Sequence, residues 1–148
     1  MAHLGGPATT FKRTIDAYRE AASEAGFDPT QLPVATAGFF YAAETSQQAL
    51  QEYYPHINEG MKLTNGRGFP KQHFAQGLDT RDILNVGSPQ QIIEKILYQH
   101  ELFGNQRYTA QLDFGGVPFD KIKKNIEIIG TEIIPALRKY TMTKESSQ

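Results

Sequence analysis

Hydrophobic residues repeat along this chain with two different periods, and the change of period is sharpest between residues 83 and 116. From Ser88 the spacing is helical, with Ile92, Ile93, Ile96, Leu97, His100 and Phe103 on one face. Ser88 reads as the N-cap, Pro89 as the first helical residue and Gln91 as the third. The side chains of Ser88 and Gln91 can then satisfy each other's free backbone N–H groups, while proline gives up an N–H that had no partner. Gly104 supplies the left-handed residue that ends the helix. From Arg107 the period becomes two: Tyr108, Ala110, Leu112 and Phe114 face one side, and Arg107, Thr109, Gln111 and Asp113 the other. A helix packed back along such a strand, opening into Gly115-Gly116, is half of a right-handed βαβ crossover and indicates an α/β layer.

The remaining pattern adds three helices and one more strand. Phe11, Ile15, Tyr18, Ala22 and Ala25 line a helix capped by Thr9 or Thr10 and closed by Gly26. Residues 32–43, LPVATAGFFYAA, are apolar or small on both faces, as in an interior strand covered on both sides. A helix over residues 46–63 carries Ala49, Leu50, Tyr53, Ile57 and Met61 inward, with Pro55 expected to kink or divide it. Residues 64–80 have no sustained period and read as the longest irregular stretch; residues 79–86 form a short helical turn or extended piece. A closing helix over residues 120–138 presents Ile122, Ile126, Ile129 and Ile133 inward and bends at Pro135. Residues 1–140 form one domain and residues 141–148 a polar, disordered tail.

This inventory is unbalanced. Four or five amphipathic helices accompany two convincing strands, and the strand within residues 33–43 looks like one flanked by other strands. Either the chain is part of a larger α/β sheet, or copies of it associate to complete one.

Composition narrows the functional classes. The 148 residues carry 15 Lys and Arg against 16 Asp and Glu, and no Lys/Arg stripe accompanies the aromatics, which argues against a nucleic-acid partner. There is no cysteine, hence no disulfide, thiolate metal site or cysteine nucleophile. No apolar run is long enough to span a bilayer and residues 1–13 lack a signal peptide's apolar core, so the chain reads as soluble and cytoplasmic, with small molecules or protein as partners. His3, His56, His73 and His100 have no metal-binding spacing, no serine lies in a GxSxG elbow, and Asp79, Arg81 and Asp82 read as a solvated ion-pair cluster.

Few residues suggest binding. Gly5 and Gly6, and Gly115 and Gly116, can let backbone approach a ligand closely, or can serve turn geometry alone. Ser88 at a helix N-terminus can hold a phosphate, or simply cap the helix. Gln111 and Asp113 either line a cavity at the carboxyl end of a barrel strand or form the wet face of an edge strand.

The order HLGGPATTFKRTIDAYREAASEAGFDP, FFYAAETSQQAL, LNVGSPQQIIEKILYQHELFGNQRYTAQLDFGG and IEIIGTEIIPALRKY resembles the C-terminal part of the bacterial-luciferase-like flavin-dependent monooxygenases, over residues 4–140. The resemblance implies an α/β fold: the C-terminal part of a (β/α)8 TIM barrel, with few parallel strands and covering helices. It places residues 4–6 at the end of the sixth barrel strand, residues 33–43 in the seventh and residues 107–114 in the eighth. It implies an oxidoreductase of FMN or a deazaflavin, in which reduced flavin activates oxygen, and commonly a dimer. Gly5, Gly6 and Ser88 become the cofactor-binding candidates and Gln111, Asp113 and Gly115 the substrate-binding ones, with no catalytic acid or base and no metal assigned. The first five strands of such a barrel are absent, so a complete flavin site is not expected in this chain alone. The competing expectation is a non-catalytic α/β protein derived from that barrel and self-associating.

Overall fold

The computed structural model describes residues 2, 3 and 5–145; Leu4, within the first glycine segment, and residues 146–148 of the expected tail lie outside them. The chain runs β1 (Ala2–His3), α1 (Ala8–Glu24), a 3-10 turn (Pro29–Gln31), β2 (Ala35–Ala42), α2 (Ser46–Asn65), α3 (Lys71–Gln76), β3 (Asn85–Gly87), α4 (Pro89–Phe103), β4 (Arg107–Gln111), α5 (Phe119–Ile128), a π-helical turn (Ile129–Ile133) and α6 (Ile134–Glu145). All strand pairs are parallel.

β2 is the centre of the sheet. Ala37 and Gly38 pair with β1 on one edge and with Thr109 and Ala110 of β4 on the other. β3 shares the edge of β1: the Val34 carbonyl accepts from Gln106 beside β4, whereas Ala43 N donates to the Gly87 carbonyl, and even and odd positions of a strand point to opposite edges. Residues 6–8 and 81–83 join β1 to β3 along that edge through Ile83 N to Gly6 O (2.9 Å) and Ala8 N to Arg81 O (2.8 Å). The expectation that β2 lacks flanking strands within the chain is therefore corrected. β1 and β3 are two and three residues long, too short to show a period, yet they complete one edge.

The connections explain why helices cover both faces. β1 to β2 and β3 to β4 step across the sheet in one direction, β2 to β3 in the other, and right-handed crossovers then fall on opposite faces. Phe39, Tyr41 and Ala43 pack with Ala49, Tyr53 and Ile57 of α2 and Phe74 of α3. Phe40 and Ala42 pack on the other face with Ile92 and Ile96 of α4, Ile128 and Ile133. A third cluster joins Ile15 of α1 to Phe103 of α4. Each large apolar side chain buried this way contributes about 1.5–3 kcal/mol of transfer free energy.

Several local expectations change. Pro7, not Thr9 or Thr10, is the N-cap of α1, without a side-chain cap. α2 continues through Pro55 over 20 residues, and α3 interrupts the stretch read as irregular. β4 ends at Gln111, after which Phe114 crosses to the other face and packs on Phe39 (4.7 Å between centroids). In the closing helix Ile126 is 55% exposed and Asn125 is buried instead, because the Asn125 side-chain carbonyl accepts from Ala42 N (2.7 Å) where β2 outruns β4. The bend expected at Pro135 appears just upstream as the π-helical turn, since proline has no N–H for the carbonyl one turn back and its ring crowds that carbonyl. α6 then extends through Glu145, across the first part of the segment read as a tail.

Candidate functional site

Gly5 and Gly6 leave β1 and turn toward α1, and the space beside them is a cavity of about 380 Å³. Its wall includes Asn65 at the end of α2 and Gly68 just past it, Phe69, His73 and Gln76 around α3, and Asp82 before β3. Gly6 has φ 106°, a conformation that disfavours any side chain, and an added Cβ would meet nothing within 4 Å, so open space lies beside the backbone. A second cavity of about 510 Å³ adjoins it, sharing Pro7, Gln76 and Asp82 and adding Thr9, Asp79, Arg81 and Tyr98.

Asp82 is the buried ionisable group common to both cavities, 8% exposed. Its carboxylate accepts from Leu84 N (2.9 Å), and burial holds its pKa above the ordinary value despite that bond and the attraction of Lys95. The cluster read from the sequence is therefore split. Asp79 and Arg81 form an exposed pair (2.8 Å) that lowers the Asp79 pKa through the Arg81 side-chain hydrogen bond, whereas Asp82 turns inward.

Sequence periodicity missed Lys95. It lies on the buried face of α4 at 0% exposure, its ammonium donates to the Gly77 carbonyl, and burial lowers its pKa from 10.5 to about 8. Gln99 lies one turn along and donates to Asn85 Oδ1 (3.0 Å). These polar side chains dock α4 on residues 77–85, a segment whose path the sequence left open, so nothing in the pattern marked positions 95 and 99 as inward.

The remaining candidates lie elsewhere. Ser88 caps α4, accepting from Gln91 N (3.3 Å), but the reciprocal half of the expected capping box is not made. Ser88 N donates to Ser46 Oγ (3.1 Å), Ser46 donates to Gln91 Oε1, and the Gln91 amide reaches the Leu78 carbonyl. The N-terminal residues of α2 and α4 are thus tied to each other. Gln111 and Asp113 are exposed beyond the opposite edge of β2. Gly115 has φ 76°, and an added Cβ would overlap the His56 carbonyl of α2, so close helix packing accounts for this glycine. His56 Nδ1 lies 3.2 Å from the Gly115 carbonyl. The structure brings Gly5 and Gly6 together in one cavity and keeps Ser88 and the Gln111–Asp113–Gly115 group apart from it.

The cavity beside Gly5 and Gly6 offers a ring one aromatic wall, Phe69, and the side-chain amides of Asn65 and Gln76. It does not suit a flavin phosphate: no Lys or Arg lines it, and Asp82 is acidic. Ser88 gives no ready substitute, because its own N–H is already bonded. A whole flavin is therefore not accommodated by this cavity alone. Among them no group of three or more His, Asp or Glu is placed to hold a metal ion, and no helix is long and apolar enough to cross a membrane.

Comparison with known proteins gives a consistent picture. The family model for luciferase-like monooxygenases matches residues 1–106. No curated protein sequence matches the chain. Among solved structures, the monooxygenase RslO1 from Streptomyces bottropensis is similar, with TM-score 0.63 and 22% identity over 90% of this chain and 40% of that one. The oxygenating constituent of 3,6-diketocamphane monooxygenase from the CAM plasmid of Pseudomonas putida, solved with FMN, gives TM-score 0.58 and 19% identity over 92% of this chain and 42% of that one. An F420-dependent secondary alcohol dehydrogenase, solved with an F420-acetone adduct, gives 0.60 and 18% over 92% and 42%. At these identities the likeness is one of fold, an α/β arrangement shared with part of the luciferase-like barrel. The chain spans only 40% to 42% of the length of these three proteins.

Proposed function

Because the chain belongs to the luciferase-like monooxygenase family, we propose that it is a partial flavin-dependent oxidoreductase, supplying one wall of a flavin and substrate cavity. The observation that carries this reading is the cavity beside Gly5 and Gly6, about 380 Å³ in volume and within the usual range for small-ligand sites. Gly5 and Gly6 present backbone to the cofactor ring, FMN or a deazaflavin. Ser88 remains the cofactor-side candidate apart from this cavity, its N–H bonded to Ser46, and Gln111, Asp113 and Gly115 are the substrate-side candidates on the far edge. The phosphate contacts that the chain lacks come from barrel strands outside it, on another polypeptide or another copy.

The test is a fluorescence titration of FMN and of F420 with the purified chain, repeated after mixing with the portion of RslO1 outside its matched region. Saturable quenching that disappears in Gln76→Phe, which fills the cavity from an exposed position, is the expected result. No saturable quenching in either setting removes the reading.

A second reading, a non-catalytic and self-associating α/β protein derived from the barrel, is favoured by one observation. Tyr41, Tyr53 and Phe74 fill the second face of the sheet, which helices also cover. In a barrel that face looks into the interior. Sedimentation showing a stable oligomer, together with no flavin binding, would select it.

A further inference from the structure

The unusual feature of the cavity beside Gly5 and Gly6 is its charge. Asp82 is 8% exposed, and among the described residues it has no ion-pair partner within 4.0 Å. Buried carboxylates are rarely left without a counter-charge, because removal from water is costly unless a cation or several hydrogen bonds compensate. Backbone N–H groups compensate in part, through Leu84 at 2.9 Å and the neighbouring Gly6. A carboxylate has about four acceptor positions, so these bonds do not exhaust it.

The nearby cations are committed elsewhere. Lys95 lies behind Asp82 and donates to the Gly77 carbonyl. Arg81 is held by both oxygens of Asp79, at 3.0 and 2.8 Å. The cavity wall itself offers His73 at its exposed rim, the amide oxygen of Gln76 and the ring of Phe69, while Asn65 Oδ1 already accepts from Arg67 N and Gly68 N. An acidic group, an amide oxygen and an aromatic face are the groups that recognise an organic ammonium.

We infer that this cavity binds a small organic amine in its ammonium form, seated against Asp82 with its carbon skeleton on Phe69. This goes beyond the proposed function, in which Gly5 and Gly6 face the cofactor ring, by adding a substrate-side group, Asp82, to the same flavin and substrate cavity; it rests on that reading, but the binding requires no flavin. Failure of the flavin titration and failure of amine binding are therefore separate results.

The experiment is calorimetric titration of the full chain with benzylamine, benzyl alcohol and benzoate, which share a ring and differ in charge. Benzylamine binds saturably, about tenfold or more tighter than benzyl alcohol, and benzoate shows no saturable binding; tenfold corresponds to about 1.4 kcal/mol. Asp82→Asn reduces benzylamine affinity by about tenfold and leaves benzyl alcohol unchanged. Gln76→Lys, at an exposed rim position, places a competing cation there without disturbing the backbone bonds of Asp82, and lowers benzylamine affinity as much. It keeps the test valid should Asp82→Asn fail to fold. Benzoate binding as tightly as benzylamine, absence of saturable benzylamine binding, or insensitivity to Gln76→Lys would overturn the assignment.

Discussion

Lys95→Met should make this protein more stable at neutral pH, although it deletes a buried hydrogen bond. Lys95 is fully enclosed, and burial lowers its pKa from 10.5 to about 8 against the attraction of Asp82 and Asp79. That shift of about 2.5 units, at 1.36 kcal/mol each, means that folding with the ammonium charged costs roughly 3 kcal/mol more than folding with it neutral. Methionine has nearly the same length and carries no charge. Its loss is the charge-assisted bond to the Gly77 carbonyl, worth about 1.5–3 kcal/mol. The net gain at pH 7 is then about 1 kcal/mol. The pH dependence follows from the same shift. Below pH 8 the group is protonated in both folded and unfolded chains, and its contribution is flat. Between about 8 and 10.5 the unfolded chain holds a proton that the folded one has released, so stability rises with pH. From pH 7 to 9.5 the rise is about 2 kcal/mol in the parent and absent from the Lys95 term in the variant. Urea unfolding followed by circular dichroism at several pH values measures both, and subtracting variant from parent cancels the other titrating groups. A variant less stable than the parent at pH 7, or a parent-minus-variant difference that does not change between pH 7 and 9.5, refutes the reasoning.

Other substitutions probe the packing around the candidate sites. Gly115→Ala drives a methyl group into the His56 carbonyl and forces alanine to φ 76°, so urea unfolding should show a loss of about 2 kcal/mol or more. Asn125→Ala leaves the buried Ala42 N–H, at the end of β2 that outruns β4, without an acceptor, a cost of about 1–3 kcal/mol, and amide exchange at Ala42 should quicken. Ser88→Ala should cost about 1 kcal/mol through the lost cap, while Ser46→Ala, which removes the acceptor of Ser88 N, should cost a similar amount despite lying 42 positions away.

The sequence alone determined the parts whose signals are local. The Ser88 cap, the Gly104 terminator, the inner face of α2 through Ala49, Tyr53 and Ile57, and the two-sided burial of β2 all follow from spacing of apolar residues and from turn chemistry. The α/β class follows from those elements, and the order of motifs along the chain pointed to the family. What tertiary structure decided is everything set by the direction of the crossovers. The two-residue β1 and three-residue β3 form because an edge of β2 is available, not because they carry a period. Stepping first one way and then the other across the sheet placed helices on both faces, enclosed Lys95 and Asp82, and took Gly5 and Gly6 away from Ser88 and Gln111. Buried polar groups depend on which distant segment lies opposite them, and no spacing rule within one helix or strand contains that information.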